Sequence, residues 1–109
     1  MIERAKAHFR QIGMRSIEVP EWLDEKGAPS RIYWTPMTLE ESDRLLAGGE
    51  ITLTAYADVI AAKALDENGN MLFDAQGKIE LKKAAERSVL TRIANAILSA
   101  PKLEDIEKN

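Results

Sequence analysis

The sequence predicts an α+β fold that is predominantly helical: a small N-terminal antiparallel β-hairpin packed on three to four helices. Three observations lead there. Two short extended segments, MRSIEVPEW (residues 14–22) and RIYWTP (31–36), flank the polar stretch DEKGAPS, whose Gly27 and Pro29 suit a connection between antiparallel neighbours. Beyond residue 38 the apolar residues recur at three- and four-residue steps, the period of a helix with one buried face. Thr38 and Glu41 stand at capping-box spacing, which marks where one of those helices starts.

Taken in order, the N-terminal MIERAKAHFRQIGM has charges throughout and no continuous apolar run, unlike a secretory signal. It reads as a short amphipathic helix with Ile2, Ala5 and Phe9 on one side. The segment around Ile17 and Val19 alternates and then meets Pro20, which cannot donate to a ladder and so favours an edge or a strand end. After the hairpin, a helix from Thr38 presents Leu39, Leu45 and Leu46, and Gly48-Gly49 supplies a backbone at which it can stop. From Thr52 to about Leu65 a second helix carries Leu53, Tyr56, Ala57, Ile60 and Ala64. A third and longer one spans Lys78 to Ala100, with Leu81, Ala85, Val89, Ile93, Ala96, Ile97 and Ala100 opposite Lys82, Glu86, Arg92 and Asn95, and Pro101 ends it. Residues 1–101 thus form one domain, and 102–109, with only Leu103 and Ile106 to bury, a flexible charged tail.

Composition narrows the function. The 109 residues are 45% apolar and 30% charged, an ordinary globular balance that allows one modest core. With 15 basic against 18 acidic residues the net charge is -3, so the field that holds a nucleic acid backbone is lacking. Lys82, Lys83 and Arg87 read as a solvated helix face. No apolar run approaches the roughly 20 residues of a membrane span. There are no cysteines, which removes disulfides and thiolate chemistry and fits a cytoplasmic address.

LDENGNMLFDAQG (65–77) resembles a calcium loop at first sight. Counting from Asp66 places oxygen ligands at Asp66, Asn68 and Asn70, but puts Met71 where the turn Gly belongs and Gly77 where the bidentate Glu belongs. Setting Gly69 or Gly77 at the turn position makes the first ligand Ala64 or Leu72. Asn68-Gly69 is therefore read as a tight turn, with Met71, Leu72 and Phe73 packing back on the helices. His8 is the only histidine and has no neighbouring nucleophile motif, and Glu40-Glu41 suit the first turn of a helix by its dipole alone. Gly48-Gly49 lacks the following Lys of a phosphate loop. LLAGGEITLTAYADVI spaces two helices like a helix-turn-helix, but its second helix offers only Asp58 and Lys63 as charged residues, without the Arg and amide groups that read bases. No catalytic residue, metal ligand or cofactor site is assigned. Trp22, Tyr33 and Trp34 cluster at the hairpin, where they either meet a partner or cover the core.

RSIEVPEW followed by RIYWTPMTLEESDRL, a middle helix leading into ALDENGNMLF, and KKAAERSVLTRIANAIL together resemble the tail assembly chaperones of long-tailed bacteriophages and their prophage relatives. The resemblance covers roughly residues 14–100 and rests on pattern and order, not on an invariant signature. It implies a helical protein of the host cytoplasm that coats the tape measure protein, prevents its aggregation and helps recruit major tail tube subunits. Self-association is expected of a protein that coats a long partner in many copies. In many such phages ribosomes slip backward near the end of the frame, and Glu107-Lys108-Asn109 can be encoded GAA AAA AAC, which contains the heptamer A AAA AAC. An ordinary charged terminus in other codons is the alternative, and the gene's last codons decide. The resemblance carries no agreed set of partner-contact residues onto these positions. The expected contacts are therefore the exposed members of Trp22, Tyr33 and Trp34, with Val89, Ile93 and Ile97 of the last helix if that side is under-buried. A DNA-binding transcription regulator and an enzyme of unknown class remain open.

Overall fold

The computed structural model describes residues 1–46 and 52–99. The fold is α+β and mostly helical, ordered α1 (Ile2–Ile12), β1 (Arg15–Leu23), β2 (Pro29–Trp34), α2 (Leu39–Leu45), α3 (Leu53–Lys63), α4 (Ala75–Ala84) and α5 (Arg87–Leu98). Gly48-Gly49, Ala100, Pro101 and the segment 102–109, with the terminal Glu107-Lys108-Asn109, lie outside the described residues.

β1 and β2 pair antiparallel, with Arg15 opposite Trp34, Ile17 opposite Ile32 and Glu18 opposite Arg31. Side chains alternate across a strand, so this register sends Val19, Ile32 and Trp34 into the core and leaves Glu18, Arg31 and Tyr33 on the other face. There Arg31 Nη2 donates to Glu18 Oε1 at 2.7 Å. The pairing is irregular between Val19 and Leu23, the stretch that contains Pro20, as a residue without an amide hydrogen requires.

The capping box at α2 forms as its spacing predicts: the Glu41 amide donates to Thr38 Oγ1 (3.1 Å) and the Thr38 amide to Glu41 Oε1 (3.0 Å). Leu39 departs from expectation, since it is 86% exposed while Leu46 is buried. α3 lies at the centre. Ala55, Ala57, Val59, Ile60 and Ala61 are all buried because α4 and α5 both pack on this helix, whereas Leu53 at its start is exposed.

The single helix expected from Lys78 to Ala100 is instead two. α4 begins earlier, at Ala75, where Asp74 Oδ1 accepts from the Gly77 amide at 2.7 Å. Ala85 and Glu86 are extended, and the Glu86 carboxylate caps α5 by accepting from the Val89 amide at 3.0 Å. No Gly or Pro marks the break. A four-residue apolar step runs straight through it from Leu81 to Ala85 to Val89, so periodicity alone reads as continuous helix. The bend lets Leu81 on one segment and Leu90, Ile93 and Ile97 on the other reach the same core.

α5 is tied to the irregular part of β1 by Arg92, whose Nη1 and Nη2 donate to Glu21 Oε2 and Oε1 at 2.8 and 2.5 Å. The guanidinium hydrogen bonds hold the Glu21 carboxyl at about 2, down from 4.5. A depressed folded-state value means the pair stabilises fully above pH 4.5 and loses its contribution as pH falls from there toward about 2. Glu21→Gln is expected to flatten that part of the acid limb in urea titrations taken as a pH series. An unchanged limb would show that the pair contributes nothing to stability.

Candidate functional site

The structure separates the six expected contact residues. Trp34, Val89, Ile93 and Ile97 are between 0% and 4% exposed and belong to the core, so the last helix is not under-buried. The reason is that α5 packs against α3 and β1 along its whole apolar side. Trp34 sits with Arg15 5.6 Å from its ring centroid, and its buried indole nitrogen has no hydrogen-bond partner. Trp22 and Tyr33 are only half-buried, and they line a common groove.

That groove is built by the loop of residues 65–74, which ends where α4 begins. The Tyr33 amide donates to the Leu65 carbonyl at 2.9 Å and the Leu65 amide to the Tyr33 carbonyl at 2.7 Å, so Leu65 lies along the free edge of β2. Leu65 also bridges Met71, which folds the loop into a miniature hairpin. Phe73 packs on the core as expected, but Met71 and Leu72 are 65% and 42% exposed and do not pack back. The docked loop leaves a concavity of about 500 Å³ with Trp22, Tyr33, Leu72 and Phe73 among its walls.

Its rim is acidic for a local reason that sequence inspection missed. DEKGA (24–28) and DENGN (66–70) form the same turn twice. In the first, Asp24 Oδ1 accepts from the Lys26 and Ala28 amides at 2.8 and 2.9 Å. In the second, Asp66 Oδ1 accepts from the Asn68 and Asn70 amides at the same distances. The Gly of each has positive φ, 81° at Gly27 and 86° at Gly69. Such a turn needs Asp to hold the amides and Gly to take the left-handed position. The backbone hydrogen bonds, chiefly from Asn70, hold the Asp66 carboxyl below its ordinary range, so it stays charged. The repeated Asp-Glu-x-Gly was the available signal. What the sequence hides is that β2 pairing with Leu65 brings both turns to one groove.

A second concavity, about 460 Å³, lies between Leu45, Ala61, Met71 and Phe73. Arg44, Asp58, Asp74 and Lys78 also line it, and Lys78 and Lys82 approach Asp58 at 3.8 and 3.3 Å. Lys63, the one base of α3, is 4% exposed and donates to Thr35 Oγ1, the Pro36 carbonyl and Glu41 Oε2. α3 therefore offers no free cation to a nucleic acid groove. His8 lies on the exposed side of α1. Among the described residues no helix is long and apolar enough to cross a membrane.

No protein-family model, curated protein or solved structure matches the chain.

Proposed function

We propose that the protein is a tail assembly chaperone of the long-tailed phage type, acting in the host cytoplasm without chemistry of its own. Its groove takes an amphipathic helix of the tape measure protein, keeps that helix from aggregating and holds it while major tail tube subunits arrive. The observation that carries this reading is the groove itself. Trp22, Tyr33, Leu72 and Phe73 offer an apolar and aromatic wall beneath a carboxylate rim, the surface on which the apolar face of a helix with basic flanks would dock. Aromatic side chains supply large contact area at small entropic loss, which is why so few residues can suffice.

The experiment is co-expression with the long helical tape measure protein that this reading expects to be encoded beside the chain, reading that partner's soluble fraction and the affinity of the recovered complex. The wild-type chain is expected to keep the partner soluble. Trp22→Ala and Tyr33→Ala are each expected to weaken binding at least about tenfold, as central aromatic contacts do. A partner that stays insoluble beside the wild type, or binding indifferent to both substitutions, would sink the proposal.

A further inference from the structure

Where α4 gives way to α5, the extended Ala85 and Glu86 open a cleft against the first turns of α3. Leu53, Tyr56, Ala57 and Leu90 give it apolar walls, and Lys82 and Arg87 line it beside them. Unlike the two concavities already described, this one has bases and no carboxylate among its described walls. Lys82 shares the single carboxylate of Asp58 with Lys78, and Arg87 makes no ion pair among the described residues. Glu86 does not neutralise Arg87 across the cleft, because its carboxylate is turned to the Ser88 hydroxyl and the Val89 amide of α5. Leu53 is 64% exposed here. At about 270 Å³ the cleft falls below the roughly 300–1,000 Å³ of small-molecule sites, a size that suits a few side chains better than a cofactor.

We infer that the cleft is the docking site for residues 103–107 of the same chain, with Leu103 and Ile106 against Leu53 and Leu90. Every other residue of that LEDIE segment is acidic, so Glu104, Asp105 and Glu107 bring to Lys82 and Arg87 the charge that the walls lack. Length allows it. The chain leaves α5 extended at Ser99, whose carbonyl accepts from Arg15 Nη1 at 3.0 Å, and Pro101 cannot carry the helix on. Thr91 and Arg87, the cleft residues of α5 nearest to and farthest from Ser99, lie about 12 and 18 Å back along the helix axis. Leu103 and Ile106 can stand up to about 14 and 24 Å from Ser99 in an extended chain, which covers both distances. A short covalent link also sets an effective concentration on the order of millimolar, so the chain's own segment outcompetes that of a second copy. Once occupied, the cleft covers Leu53 and ties the start of α3 to the break between α4 and α5. None of this depends on the tail assembly reading.

The chain has no cysteine, so an introduced pair can be read without background. Full-length chain carrying Leu53→Cys with Ile106→Cys, equilibrated dilute with reduced and oxidised glutathione, is expected to close a disulfide within one molecule, since such a bond forms only where the two backbones come close. Mass spectrometry and non-reducing electrophoresis follow it. Leu23→Cys with Ile106→Cys, whose first site is exposed at the end of β1, outside the cleft, should link at least about fivefold less. Adding Arg87→Glu to the first pair is expected to lower its linked fraction, because like charges now meet, and adding Glu104→Lys with Glu107→Lys to that chain should restore it. Hydrogen exchange of the chain without cysteines reads the same contact: the 103–107 amides should exchange more slowly in the wild type than in the Arg87→Glu chain. A cleft pair that links no better than the Leu23 pair, a disulfide that joins two chains instead of one, a linked fraction indifferent to the charge reversals, or equal exchange in the two chains would each overturn the inference.

Discussion

Trp34→Ala is expected to lower the free energy of unfolding by ~3–5 kcal/mol, the range for emptying a large aromatic site in a packed core. Trp34 is 2% exposed and shares its cluster with Val19, Ile32, Ile60 and Ile93, so no solvent reaches the space left behind. Against a typical total of ~5–15 kcal/mol, that loss leaves a marginal fold. Trp34→Phe is expected to be far milder. It keeps a ring in place and removes an indole N–H that is buried without a partner, a group whose unmet hydrogen bond carries its own penalty. Urea unfolding of both variants measures the contrast. Similar losses for Phe and Ala would mean that the indole nitrogen is satisfied in solution. Trp34 would then affect partner binding only through stability, whereas Trp22→Ala, at a half-buried ring on the edge of the core, should weaken binding by more than its smaller drop in the unfolding midpoint accounts for.

Glu41→Ala is expected to be comparably damaging, ~3–5 kcal/mol, because it strands a buried ammonium. Lys63 Nζ would keep only Thr35 Oγ1 and the Pro36 carbonyl, at 3.0 and 3.3 Å, and lose the carboxylate at 2.8 Å. The same substitution removes half of the α2 capping box. Lys63→Met should cost much less, since the Glu41 side chain retains 24% exposure and the Thr38 amide as a donor. Desolvation pushes the Glu41 carboxyl up, but the hydrogen bonds from Lys63 and Thr38 outweigh it and hold the group below its ordinary value. The pair therefore stabilises above the unfolded carboxylate's titration range and fades as pH falls through it. Thermal melts of the two variants at neutral pH decide the asymmetry, and a Lys63→Met variant less stable than Glu41→Ala would refute it.

Features whose hydrogen bonds close within a few residues were legible. The alternation around Ile17 and Val19, the break at Pro20, the Thr38–Glu41 box and the Asn68-Gly69 turn all appear where the residues place them. Of the site, Trp22 and Tyr33 could be named from their type, but Leu72 was expected to pack inward and the two acidic turns were not recognised as a pair. Leu39 and Leu53 show the same limit, because a helical apolar pattern names a candidate face without naming what covers it.

The start of α2 and the Asn68-Gly69 turn follow from the residues alone, since each is closed by side-chain and backbone groups only two to four positions apart, and the polar DEKGA stretch likewise marks where the hairpin turns. The separation of α4 from α5, the inward-facing Trp34, Val89, Ile93 and Ile97, and the single groove bordered by the two turns come instead from long-range packing. Those outcomes depend on α3 being packed from several sides and on Leu65 finding the edge of β2, contacts between segments far apart in the chain that no local pattern encodes.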